Sequence, residues 1–326
     1  MSPGTDIRAT RPEAIKAIPL RHPWRWVFAV IVLAFAAAVI YTFATAPNLN
    51  WGVVKDFLFF PEILRAILVT LELTVIAMVI GITMGVLLAV MRLSVNPVVS
   101  GVSWLYIWFF RGTPVLVQIF FWFNIGSILP YLKLGIPFTH LVWVGTTNQI
   151  VTPFLAAILG LGLNEAAYMS EIVRAGIISV DTGQTEAAQA LGMTRVLVMR
   201  RIVLPQAMRV IIPPTGNETI SMLKTSSLAY IATVSELFFI QKQISNFNYD
   251  IIELLVVASI WYLAMTSVLT FGQYYVERHF ARGSTRQLPL TPLQRFRRMV
   301  FHAHIATPVG PTEPPPIYPS HRENQV

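Results

Sequence analysis

The chain has 326 residues, 55% of them hydrophobic and 12% charged, and a mean hydropathy of +0.61. A soluble domain carries roughly 25% charged residues, so these numbers exclude an ordinary soluble fold and point to a polytopic membrane protein. The net charge of +8 would suggest nucleic acid in a soluble chain, but here the basic residues cluster between and after apolar runs, as the positive-inside rule requires; the lack of cysteine excludes disulfides, thiolate metal sites and a cysteine nucleophile.

Residues 1–26 are polar and basic (Arg8, Arg11, Lys16, Arg21, Arg25), which places them in the cytoplasm. The first apolar run, 27–46, is longer than the roughly 7–15 residues of a signal-peptide core, and Pro47 would follow the cleavage-like Ala44-Thr45-Ala46, so it reads as a retained span. An outer loop is expected over 47–62 and a second span over Ile63–Met91, with Arg92 and Asn96-Pro97 at its cytoplasmic exit. The third span, Trp104–Leu129, is interrupted near its start by Arg111-Gly112-Thr113-Pro114. Residues 130–149 read as an outer loop, and the fourth span runs from Ile150 to the region of Arg174.

Residues 181–205 are a polar loop with helical content of its own. Asp181 or Thr182 can cap a short helix, with Gln184 at capping-box spacing from Asp181. Gly192 suits a left-handed turn that ends it; residues 193–204 form a second short helix, and Pro205 sits where the chain turns back toward the bilayer. The fifth span is expected over Val210–Val234, broken near its entry by Pro213-Pro214. A short outer loop carries Glu236, Lys242 and Asp250, and the sixth span covers Ile251–Tyr275. The fold class is then an all-α polytopic membrane protein with six spans, each near the ~20 residues that cross a bilayer, and with both termini in the cytoplasm. Residues 283–326, with Pro314-Pro315-Pro316, read as a disordered cytoplasmic tail.

Ionisable groups inside spans are costly and tend to face a cavity or a partner. Glu171 and Arg174, at i and i+3, can neutralise each other, and Glu165 and Glu171, six apart, fall on different helix faces; these charges read as structural. Arg111 lies where Gly112 and Pro114 should break the helix, and a guanidinium there could hold a carboxylate bidentately. In the fifth span, spacing puts Asn217, Ser221 and Lys224 on one stripe, with Glu218 beside it. Arg111, Asn217, Glu218 and Lys224 are therefore candidates for a zwitterion's pathway; the other reading is that they staple the bundle together.

Glu186-Ala187-Ala188, three residues, Gly192, nine residues, Ile202-x-Leu204-Pro205 resembles the EAA signature of bacterial ABC importer permeases. The stretches YIWFFRGTPVLVQIFF (106–121), EAAYMSEIVRAGI (165–177) and LPQAMRVIIPPTGNETISMLKTSSL (204–228) resemble its polar amino acid uptake branch, over residues 63–276. The resemblance implies a five-span core with one extra N-terminal helix. It also implies a coupling helix that docks on the ATP-binding subunit through Glu186, Ala187, Ala188, Gly192, Ile202, Leu204 and Pro205. The implied partners are two ATP-binding subunits, a second permease copy or paralogue, and an extracytoplasmic solute-binding protein. The implied location is the bacterial inner membrane and the implied cargo a polar amino acid, or another small zwitterion or opine. The chain has no G-x-x-x-x-G-K-[ST] stretch, so ATP and its magnesium ion belong on the partner and no cofactor is expected here. Two other classes fit the residues less well. A membrane enzyme would need a nucleophile–base pair or metal cluster, yet no histidine lies inside an expected span. An autonomous transporter or channel leaves the EAA spacing unexplained.

Overall fold

The computed structural model describes residues 23–135 and 142–280. The expected cytoplasmic tail 283–326 and most of the segment 1–26 lie outside the described residues. The described chain falls into two units. One contains α1, Pro23–Ala44, which carries no charged residue after Arg25. The other begins at Ala46 and holds every element that follows.

The expected outer loop 47–62 contains a helix, α2, Trp51–Leu58. Asn50 caps it by accepting from the Gly52 N–H, and Val54 is buried beneath it. The 32-residue α3, Pro61–Arg92, follows. The third span starts earlier than expected, because Asn96 caps a helix with Pro97 at its first position: α4 is Pro97–Gly112. The interruption therefore falls well inside the apolar stretch. Thr113 and Pro114 are extended, and α5, Val115–Phe123, leaves at 99° to α4. The carbonyls freed by this break are met by side chains: Gln118 Nε2 donates to Phe110 O at 3.0 Å and to Thr113 O at 3.1 Å, and Asn164 Nδ2 donates to Phe110 O at 2.8 Å. A single turn, α6 (Ile125–Ile128), ends this arm.

The outer loop 130–149 is also structured, and the chain is not purely α-helical. Tyr131–Gly135 (β1) and Val142–Thr146 (β2) pair antiparallel, Tyr131 opposite Thr146. The Thr147 side chain and N–H close the base on Leu129 O and Pro130 O, and the short α7 (Thr147–Ile150) leads on. Next come α8, Pro153–Ile178, and α9, Thr182–Ala190. The second coupling helix does not stop at Pro205. From α10 (Arg195–Val198) the chain widens into a π-turn over Met199–Val203 and continues as α11, Leu204–Thr225. Proline lacks an N–H and crowds the carbonyl four residues back, and a π-turn makes room for it. Pro213 and Pro214 likewise stay inside α11 and do not break it. A 3-10 segment (Ser226–Ala232) follows, then α12 (Leu237–Asn248) where a loop was expected, and the 30-residue α13 (Ile251–Phe280).

Packing centres on α3 against α8. Small residues let the two approach closely: a Cβ on Gly81 would overlap the Glu165 side chain, and one on Gly85 would meet Met169 Cβ at 2.5 Å. Leu73, Ala77, Ile119, Leu161 and Met222 form a buried cluster that joins α3, α5, α8 and α11. Among the described residues, α1, α3 and α13 are long and apolar enough to cross a membrane alone, and the bent pair α4–α5 makes a fourth candidate. The six-span count is thus not fixed by apolarity. The 26-residue α8 and 22-residue α11 have the length but carry polar residues along their sequences.

Candidate functional site

A cavity of about 360 Å³ lies among α5, α8 and α11. From α8 come Leu161, Asn164, Glu165 and Tyr168; from α11 come Glu218, Ser221, Met222 and Thr225; from α5 comes Val115. Each of the first two sets follows i, i+3, i+4, i+7 spacing, one face of a helix. The size suits a small organic ligand. Two carboxylates, Glu165 and Glu218, line it. Glu165 is 4% exposed, and its Oε1 has no hydrogen-bond partner among the described residues. A buried oxygen in that condition costs free energy until something donates to it. Two like charges at one cavity also repel each other and attract a cation.

The four sequence-derived pathway residues do not converge. Glu218 lines the cavity. Arg111 is exposed and lies outside the lining, with Cζ 5.2 Å from the centre of the ring of Tyr168, which does line it. Asn217 faces elsewhere, because its Oδ1 accepts from Gln273 Nε2 of α13 at 3.0 Å. Lys224 is exposed and lies outside the lining. The stripe that faces the cavity is 218/221/222/225, about one residue around the helix from the stripe 217/221/224, and only Ser221 belongs to both. Glu165, Asn164, Tyr168 and Thr225 were not singled out as cavity residues. Their signal was present in the spacing 161/164/165/168. Glu171 and Arg174 do pair, at 2.7 Å.

The loop 181–205 forms a second functional candidate, and it is built from the inside out. Asp181 caps α9 by accepting from the Gly183 N–H at 2.7 Å. The reciprocal half of the capping box is not made; Gln184 Oε1 instead accepts from Gln206 Nε2 at 2.6 Å. Gly192 adopts φ +78, as its left-handed turn requires. Ala188 is buried with Val180, Val198, Val203 and Ala207, and Ile202 packs on the same cluster. These two residues therefore hold the loop together, and the small size of Ala188 serves the chain's own packing. Glu186, Ala187, Gly192, Leu204 and Pro205 face outward. Beside them Leu191 is 83% and Val196 77% exposed, apolar side chains left uncovered among the described residues. Among the described residues no group of three His, Asp or Glu side chains is arranged to hold a metal.

The family model described as binding-protein-dependent transport system inner membrane component matches residues 77–282. The chain is 47% identical over 289 residues to the arginine transport system permease protein ArgU of Corynebacterium glutamicum, covering 88% of this chain and 90% of that one. It is 41% identical over 211 residues to the nopaline transport system permease protein NocM of Agrobacterium fabrum, covering 65% and 84%. The crystal structure of an amino acid ABC transporter with histidines superposes with a TM-score of 0.58 at 33% identity, covering 68% of this chain and 95% of that one. The chain belongs to the permease subunits of ABC importers, and as such it is a multi-pass membrane transport component and not itself an enzyme.

Proposed function

We propose that this permease forms half of the translocation pathway of an ATP-driven importer for polar amino acids, with a cationic one such as arginine as its cargo. The observation that carries the reading is the pair of carboxylates on one cavity, Glu165 on α8 and Glu218 on α11, one of them buried with an oxygen unmet. An ammonium or guanidinium supplies the missing donors and relieves the repulsion. The arginine permease of Corynebacterium, at 47% identity, supports the same cargo. A second reading, an opine, is favoured by the likeness to a nopaline permease.

In this reading α8 and α11 complete a set of six spans with α1, α3, α4–α5 and α13. Their charges turn toward the cavity and each other and away from lipid, which is how polar groups are tolerated at membrane depth. The basic flanks keep both termini in the cytoplasm, so the loop 181–205 lies on the ATP side of the inner membrane. Its outward face, with Glu186, Ala187, Gly192 and Leu204, docks on one of two ATP-binding subunits, while Ala188 and Ile202 make it stiff enough to pass motion into α11. A second permease copy or paralogue completes the pathway, and an extracytoplasmic solute-binding protein delivers cargo.

Reconstitution of the permease with its ATPase and binding protein in proteoliposomes tests this. ATP-dependent uptake of labelled L-arginine is expected, reduced roughly tenfold or more by Glu165→Gln or Glu218→Gln. Gly192→Val, which cannot hold φ +78 without strain, should release the ATPase on copurification while the chain still inserts. Arginine uptake that proceeds without the ATPase, or that ignores both glutamate changes, would overturn the reading.

A further inference from the structure

Between α11 and α13 runs a groove of about 470 Å³. α11 forms one wall over residues 212–220, and α13 the other over 268–276. The polar side chains on these walls are already spent. The Thr215 and Thr219 hydroxyls donate back to Ile211 O and Thr215 O, at 2.8 and 2.9 Å. Gln273 Nε2 donates to Pro213 O, Asn217 Oδ1 and Glu277 Oε1, at 3.2, 3.0 and 2.7 Å. A groove whose donors are used within its own walls calls for an apolar occupant.

Length, face and charge define that occupant further. At 1.5 Å per residue each wall spans about 12 Å, close to the ~15 Å depth of one leaflet of a ~30 Å hydrocarbon core. The groove also lies on the reverse of the polar side of α11. Ile212 and Thr219 stand roughly half a turn from the exposed stripe of Asn217, Ser221 and Lys224. A protein that shares a polar pathway meets that stripe, and the groove side is left to the bilayer. Its mouth is charged. Arg209 stands three residues before Ile212, and His279 three after Val276; both are exposed, and each continues its wall by one turn. Arg200 and Arg201 are exposed further out, and Arg278 is half-buried next to His279. Against these stands Glu277, which accepts from Gln273. The balance is positive, and an imidazole N–H donates to a phosphate oxygen whether or not the ring is charged.

We propose that this groove holds one acyl chain of an anionic phospholipid, with the phosphate on Arg209 and His279. The cytoplasmic leaflet is assigned from the placement of the loop 181–205 in the function proposed above; the groove and its charged mouth do not depend on it. The lipid wedges between α13 and α11, the helix that lines the cargo cavity and receives the motion of the loop. Its occupancy makes the importer respond to the anionic lipid content of the membrane.

Photo-crosslinking tests it. The complete permease–ATPase complex is placed in phosphatidylcholine nanodiscs doped with phosphatidylglycerol, or with phosphatidylcholine, that carries a diazirine on one acyl chain. The phosphatidylglycerol probe should label residues 212–220 and 268–276 about fivefold more than the phosphatidylcholine probe, the worth of one arginine at a membrane surface. A Cβ on Gly272 meets nothing within 4 Å, so Gly272→Phe sends its ring into open groove and should remove the labelling, while Gly272→Ala should keep it. Arg209→Gln with His279→Gln should bring the two probes level while labelling persists. Equal wild-type labelling by the two probes overturns the phosphate site whether or not the variants fold. Labelling that ignores Gly272→Phe overturns the groove as the place of the chain. The protein has no cysteine, so Gly272→Cys reports on protein neighbours; disulfide-linked permease pairs in native membranes would show a second copy in the groove and overturn the lipid. Labelling of Arg201→Cys by an impermeant maleimide from outside intact cells overturns the cytoplasmic placement and the functional reading with it. Absent lipid labelling with that placement intact overturns the lipid site alone.

Discussion

Glu165 and Glu236 are both buried glutamates, 4% and 0% exposed, and they are opposite in kind. Glu236 caps α12: its carboxylate accepts from the Phe238 and Phe239 N–H groups at 2.8 and 2.7 Å, and from the Tyr262 hydroxyl at 3.1 Å. The neighbouring Leu237 N–H donates to Thr70 Oγ1 at 3.1 Å, so this acid ties α12 to α13 at a point where α12 also meets α3. Glu165 packs just as tightly, against Gly81, yet its Oε1 receives nothing. A satisfied buried acid holds a fold together. An unsatisfied one beside a cavity is a cost to the fold, and in the function proposed above it waits for the cargo's cation.

Stability separates the two most sharply. Glu236→Ala removes a helix cap, leaves the Phe238 and Phe239 amides without their acceptor and takes one partner from the Tyr262 hydroxyl, a loss of about 2–4 kcal/mol. Glu165→Met keeps the volume and removes an unmet buried oxygen, so the detergent-solubilised complex should melt at the same temperature or higher. If Glu165→Met destabilises as much as Glu236→Ala, the distinction between the two acids is wrong.

The pH dependence gives a smaller effect with a definite sign. Burial pushes the Glu236 carboxyl up to about 7, against the lowering effect of its backbone and tyrosine hydrogen bonds. The unfolded chain ionises first, near the ordinary carboxylate value, so the folded form binds the extra proton in the window between. Stability from this group is complete below that ordinary value and is lost as pH rises through about 7. The melting temperature of the wild type should therefore fall between about pH 5 and pH 8 relative to Glu236→Gln, which has no proton to lose. Parallel profiles for the two would remove Glu236 as the titrating group.

How much of this was legible depended on whether the signal was local. Gly192 needed a left-handed turn, and the φ is +78; Arg111-Gly112-Thr113-Pro114 needed a break, and the helices part there by 99°. Pro213-Pro214 carried the same local signal and misled, because α11, packed between α8 and α13, continues through them at the loss of two intrahelical bonds. Glu236 read as a loop acid because its spacing to the amides of Phe238 and Phe239 has meaning only once α12 exists. The cavity was partly legible. Glu218 stood out as a charge in a span, but Glu165 was set aside by its distance from Glu171, when its own stripe with Leu161, Asn164 and Tyr168 was the informative one. The rotation from 217/221/224 to 218/221/222/225 could not come from α11 alone, since Gln273 on α13 is what holds Asn217 away.

Arg111 gives the smallest expected effect and the finest test of the comparison. It is an exposed cation that, among the described residues, meets the site through the Tyr168 ring, and exposed cation–π contacts are worth about 0.5–1 kcal/mol. Arg111→Ala should therefore lower L-arginine uptake by only about two- to fivefold, while assembly with the ATPase stays intact. Arg111→Lys keeps the charge and should recover most of the loss if the ring contact is what matters. A loss as large as that of Glu165→Gln would mean that the guanidinium meets cargo directly, and the cavity would then have to extend past Tyr168 to include it. Unaltered uptake would make Arg111 a rim residue that steadies Tyr168 and nothing more, and the division between acids that hold the fold and acids that wait for cargo would rest on α8 and α11 alone.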